Sequence, residues 1–150
     1  MNMKPKDAMT VRGTEGSMQE IVRVFMESLL EWDIGRWVDL FHEDAVFEFP
    51  YAPAAMTRLL NGRAAIQDYI REFPNLLVIH DFSEPVFHPS SDPEQGVVEF
   101  GCRGESVQSG KPYHQSYISV IRLKEGRIIH YKDYWNPLVV LEAMGGGDGQ

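Results

Sequence analysis

The hydrophobic pattern changes period once along the chain, near Phe73-Pro74, and that switch limits the folds open to it. Before it, apolar residues recur at helical spacing; after it, they alternate as strands do. Ser17 and Glu20 have the spacing of a capping box, and behind them Ile21, Val24, Phe25, Ser28, Leu29 and Trp32 form one mostly apolar stripe. Asp33 is placed to cap a second short helix with Trp37, Leu40 and Phe41 inward. Val46 to Phe49 read as a strand, Pro50 and Pro53 as a loop, and Asn61-Gly62 as a turn. Ile66, Tyr69, Ile70 and Phe73 give a third helix that Pro74 ends.

Beyond that point the signal is strand: Leu76 to His88, Val97 to Val107, Tyr113 to Leu123 and Ile128 to Trp135. Ser109-Gly110 and Glu125-Gly126 are turn chemistry, so the last three strands are expected to form an antiparallel meander. Asn136 and Pro137 suit the start of a short last helix. Helices first and strands afterwards predict an α+β domain, a curved antiparallel sheet wrapped over three helices with a cone-shaped pocket at its open end. Its expected bounds are 17–144, between a polar tail at 1–16 and a glycine-rich tail at 145–150.

Charge narrows the partners. The formal net charge is −8 with 14 Lys and Arg and no basic run, which argues against nucleic acid. Cys102 is the only cysteine, so no intrachain disulfide can form. The histidines show no metal-ligand spacing, and no glycine-rich phosphate loop occurs, so neither metal nor cofactor is expected. No apolar run approaches the roughly 20 residues of a membrane span, and the first residues lack the apolar core of a secretory signal. A cytoplasmic location away from membranes is the expectation.

Strand alternation puts Ile129, Tyr131, Asp133 and Trp135 on one face of the last strand and Ile128, His130, Lys132 and Tyr134 on the other. Two readings of Asp133 follow. Facing inward, it must be paired, hydrogen-bonded or raised in pKa, the last being what a general acid or base near neutral pH needs. In the reversed phase it is a solvated surface acid. Cys102, on an apolar strand phase, reads as inert core.

Three segments carry a resemblance. Phe41-His42-Glu43-Asp44-Ala45-Val46-Phe47-Glu48-Phe49-Pro50, then Asn61-Gly62-Arg63-Ala64-Ala65-Ile66, then Glu125-Gly126-Arg127-Ile128 through Asp133-Tyr134-Trp135-Asn136-Pro137 resemble the SnoaL-like, ketosteroid-isomerase-like branch of the nuclear transport factor 2 superfamily. Cys102-Arg103-Gly104-Glu105 and the Asn136-Pro137 ending are similar to the phenazine-biosynthesis A/B proteins. The resemblance implies the NTF2-like, cystatin-like cone. Where ketosteroid isomerases carry a tyrosine and two acids, this chain has Phe25, Phe49 and Ser119, and the phenazine proteins' helix histidine is replaced by Tyr69. The acid of the final strand falls on Asp133.

The expected function is a cofactor-independent isomerase, cyclase or hydrolase, with Asp133 as general acid or base on a small apolar substrate. Its pocket would be lined by Phe25, Phe49, Tyr69, Tyr117, Ser119, Tyr131 and Trp135. The alternatives are a non-catalytic ligand-binding or dimerisation domain, and an epoxide-hydrolase-like enzyme, for which Arg103 and Glu105 lie on the opposite phase. The partly apolar outer phase His114, Ser116, Ile118 and Val120 predicts a homodimer.

Overall fold

The computed structural model describes residues 17–145. The expected N-terminal tail (1–16), and all but Gly145 of the C-terminal one, lie outside the described residues. Helix α1 spans Met18–Glu31, and Ser17 Oγ accepts from the Glu20 N–H at 3.2 Å, as the capping spacing predicts. The Glu20 carboxylate turns forward to Arg23. Ile21, Val22, Phe25 and Met26 are the buried face, so Val22 and Met26 replace Val24 in the expected stripe. Trp32 leaves the stripe as well: it adopts the left-handed conformation that glycine usually supplies at a helix end (φ 56°) and stays 39% exposed.

Asp33 caps α2 (Ile34–Val38) through the Arg36 N–H at 3.3 Å. This helix stops earlier than its apolar pattern suggests. Phe41 instead opens β1 (Phe41–Glu48) and is fully buried there. An unanticipated strand, β2 (Leu59–Asn61), pairs antiparallel with β1 and leads into α3 (Arg63–Arg71). Pro74 sits in a 3-10 turn at Phe73–Asn75 that follows it.

The rest of the sheet comprises β3 (Leu77–Phe82), β4 (Val86–Pro89), β5 (Gln95–Ser106), β6 (Pro112–Lys124) and β7 (Arg127–Trp135), ordered β2-β1-β7-β6-β5-β3, with β4 on β5. The expected continuous strand from Leu76 to His88 is broken at residues 83–85. Ser83 there donates its N–H to the Gly101 carbonyl and accepts the Gly101 N–H, both at 2.8 Å, and Pro85 has no N–H to extend the ladder. Helix α4 (Pro137–Ala143) follows β7, capped by Asn136 through the Leu138 N–H at 2.9 Å.

Strands β5, β6 and β7 form the expected antiparallel meander. The sheet is nevertheless mixed, because β1 pairs with β7 in parallel (Phe47 opposite Tyr131, Glu48 opposite Lys132). Hairpins force antiparallel neighbours, whereas strands separated by most of the chain are free to run either way. A second correction concerns phase. The β6–β7 register slips between Leu123–Ile128 and Arg122–His130, leaving Ile129 as the extra residue of a bulge. Fully buried Ile128, rather than Ile129, therefore joins Tyr131, Asp133 and Trp135 on the inner side.

Helices α1 to α3 cover the inner face around a core that includes Phe41, Ile66, Val98, Ile121 and Ile128. Close approach of β3 to β5 requires glycine at one point: a Cβ on Gly104 would lie 2.1 Å from the Val78 carbonyl oxygen. On the outer face Val86, Glu99, Ile118 and Tyr134 fall in one row across four strands, with Val86 54% and Ile118 47% exposed. Among the described residues no helix is long and apolar enough to cross a membrane, and no group of His, Cys, Asp and Glu could hold a metal ion.

Candidate active site

Long strands under helices leave a hollow where the sheet curves away, and here it is a cavity of about 170 Å³. An apolar cavity of roughly 150 Å³ suffices for a benzene ring, so this one has the size of a small ring compound. Phe25, Phe49, Tyr69, Tyr117, Tyr131 and Trp135, together with Asp133, all line it. Ser119 does not. It is fully buried behind the wall, and its hydroxyl is 2.7 Å from the Tyr131 hydroxyl, so it supports the site without reaching it.

The walls are aromatic because several elements aim alternate residues inward. Phe25 of α1 stacks on Tyr131 at 5.2 Å with 7° between planes, and Phe47 stacks on Tyr131 at 4.6 Å and 12°. Phe49 lies 5.4 Å from Tyr69 and 6.2 Å from Trp135, while Phe100 lies 5.1 Å from Tyr117. Such contacts fix ring positions by packing and quadrupole alignment, so the cavity keeps its shape without a ligand.

Asp133 enters this environment from β7, directly opposite Ser119 on β6. Among the described residues no side chain hydrogen-bonds or ion-pairs with its carboxyl. Among the described residues the lining contains no Lys, Arg or His. Desolvation alone therefore acts on it, penalises the charged form, and raises its pKa to about 8. The inward reading of this residue holds, and among the described residues its carboxyl is the one acidic side chain of the lining.

Burial, with the nearby Asp133 as a lesser cause, also holds the surrounding phenols in their neutral form. Tyr69, Tyr117 and Tyr131 are raised, the last two well above the ordinary value, and Tyr113 is pushed up to about 12. Cys102, buried beside Tyr117, is raised by desolvation too, which keeps it a thiol, as its strand phase suggests.

The profile of the SnoaL-like domain matches residues 22–131. The chain belongs to the SnoaL-like family. It is 48% identical over 127 residues to the Bacillus subtilis protein YesE, covering 85% of this chain and 86% of that one. It is 40% identical over 128 residues to the PhzA/B-like protein PA3332 of Pseudomonas aeruginosa, covering 85% and 90%. A Bacillus subtilis crystal structure, provisionally assigned as an isomerase, superposes with a TM-score of 0.85 at 46% identity, covering 91% of this chain and 97% of the other.

Within this SnoaL-like domain, the residues an epoxide hydrolase would need lie elsewhere. Arg103 pairs with Asp81 at 2.5 Å and is 69% exposed, and Glu105 faces His80 at 3.4 Å, both on the outer side. His88 and His130 are likewise taken up by Glu99 and Glu48. Sequence reasoning missed Tyr113 as a lining residue. The signal was available, since Tyr113 shares the inward phase of β6 with Tyr117 and Ser119.

Proposed function

We propose that this SnoaL-like domain is a cofactor-independent enzyme of isomerase or cyclase type that moves a proton on a small apolar ring compound, with Asp133 as the acid–base group. The observation that carries the reading is the unpartnered Asp133 carboxyl in an aromatic cavity. With its pKa at about 8, roughly a tenth is ionised at pH 7, and the conjugate acid is close to neutral-pH strength in both directions. The ionised carboxylate takes a proton from a carbon next to a carbonyl, leaving an enolate and a neutral carboxyl. The same carboxyl then returns that proton to a second carbon, which shifts the double bond and restores the carboxylate. The provisional isomerase assignment of the Bacillus subtilis structure points the same way.

The experiment is exchange of solvent deuterium into the α-positions of neutral cyclic ketones and enones, followed by NMR. Wild-type protein is expected to accelerate exchange at least 10²-fold over Asp133→Asn, within the usual loss for a proton-transfer group. As the active species is the carboxylate, the rate should rise with pH and level off above about pH 8. If no ketone in the panel exchanges faster with wild-type than with the variant, the domain holds ligands without transforming them.

A further inference from the structure

We infer that Tyr117 is the second polar anchor of the cavity: its hydroxyl, beside the Asp133 carboxyl, holds the single oxygen of a neutral, planar ring ligand, and the cavity rejects anions. Ser119 is opposite Asp133 and Tyr117 is opposite Trp135, so Tyr117 and Asp133 are diagonal neighbours on the inner face. Such a diagonal separation is about 7 to 8 Å between backbones, which long side chains bridge.

The hydroxyls around Asp133 are not equivalent. That of Tyr131 is committed to Ser119 at 2.7 Å. That of Tyr113 accepts from Gln115 Nε2 at 3.4 Å. Among the described residues the Tyr117 hydroxyl has only Cys102 Sγ and the Tyr113 hydroxyl, each at 3.5 Å, and the oxygen–oxygen contact lies beyond ordinary hydrogen-bond length. A buried donor left this poorly satisfied gains most from a ligand acceptor. Tyr69, across the cavity against Phe49, also lacks a hydrogen-bond partner among the described residues, but it stands on a helix rather than on the central strands beside Asp133.

Charge selects the ligand class. An anion would enter a cavity whose lining, among the described residues, has no cationic side chain, next to a carboxyl. Its desolvation would go uncompensated. Near pH 7 the carboxyl is mostly neutral and presents little charge for a cation to pair with.

The inference rests on the reading of Asp133 given above, but binding needs no turnover, so each can fail alone. The test is NMR titration of the whole protein at pH 7 with p-cresol, toluene, p-toluate and 4-methylbenzylammonium, which share one ring and differ in the group it carries. Cresol should bind most tightly, roughly tenfold better than toluene, with toluate weakest. Tyr117→Phe should reduce cresol affinity toward that of toluene, while toluene affinity moves less than about twofold. Tyr69→Phe should leave the cresol preference in place. If Tyr117→Phe does not fold, the order of the four ligands on wild-type protein decides. No cresol binding, toluate binding as well as cresol, tightest binding of the ammonium, or loss of the cresol preference in Tyr69→Phe instead of Tyr117→Phe would each overturn the inference.

Discussion

Replacing Asp133 by Asn should stabilise the protein, and by an amount that depends on pH in a defined direction. In the unfolded chain the carboxyl titrates near 3.8, and in the folded one near 8. Below about pH 4 both forms carry the proton, so the residue favours neither. Between pH 4 and 8 the unfolded chain releases the proton while the folded chain keeps it, and wild-type stability falls as pH rises. Above pH 8 both are ionised and the penalty is constant. Each pH unit in that window is worth ~1.4 kcal/mol, so the gap sets an upper bound of about 6 kcal/mol. Water entering the cavity solvates the carboxylate, and about 3 to 6 kcal/mol is the expected range. Asn has no such titration and nearly the shape of the neutral acid. Urea denaturation of both proteins from pH 5 to 9 should show a difference that is small at pH 5, widens toward pH 8 and then levels off. A difference that stays flat between pH 5 and 8 would show that Asp133 is solvated, and the desolvation argument would be wrong.

Three further outcomes follow from the fold. Gly104→Ala, which drives a Cβ to 2.1 Å from a carbonyl oxygen of the neighbouring strand, should cost at least about 1 to 3 kcal/mol, read as a lowered Tm; an unchanged Tm would mean that β3 and β5 are not in close contact. Ser119→Ala leaves the Tyr131 hydroxyl buried without its 2.7 Å partner, at a cost of about 1 to 3 kcal/mol, and adding Tyr131→Phe should recover part of that loss in a double-mutant cycle; strict additivity would deny the hydrogen bond. A homodimer through the outer row of Val86, Ile118 and Tyr134 should give twice the chain mass in light scattering at micromolar concentration and revert to monomer in Ile118→Asp; a wild-type monomer rules it out.

Much of the architecture is legible in local chemistry. Ser17, Asp33 and Asn136 accept the helix N–H groups that their positions predict, because a cap depends on residues only two or three apart. Alternation likewise groups Tyr131, Asp133 and Trp135 on one face of the last strand, but alone it leaves open which face turns inward. What escaped is non-local. The extra residue at Ile129 is defined by the register against β6, which no property of β7 alone fixes. Alternation on β6 puts Ser119 on the inner face, but whether an inner residue touches the cavity or the packed core depends on the helices above it. Trp32 broke the stripe because the backbone turned left-handed there, against the usual preference of a bulky residue.

The parallel pairing of β1 with β7 has a consequence for how the protein is made. Its contacts join residues as far apart as Phe41 and Ile128, 87 positions along the chain. During synthesis, Phe47 and Phe49 emerge early and wait for β7 before their wall of the cavity can close. Late closure of so distant a contact slows folding and leaves apolar surface open to other chains in the meantime. The nascent chain is therefore most exposed to aggregation between release of β1 and completion of β7, and it acquires its Asp133 cavity only as the last strand docks.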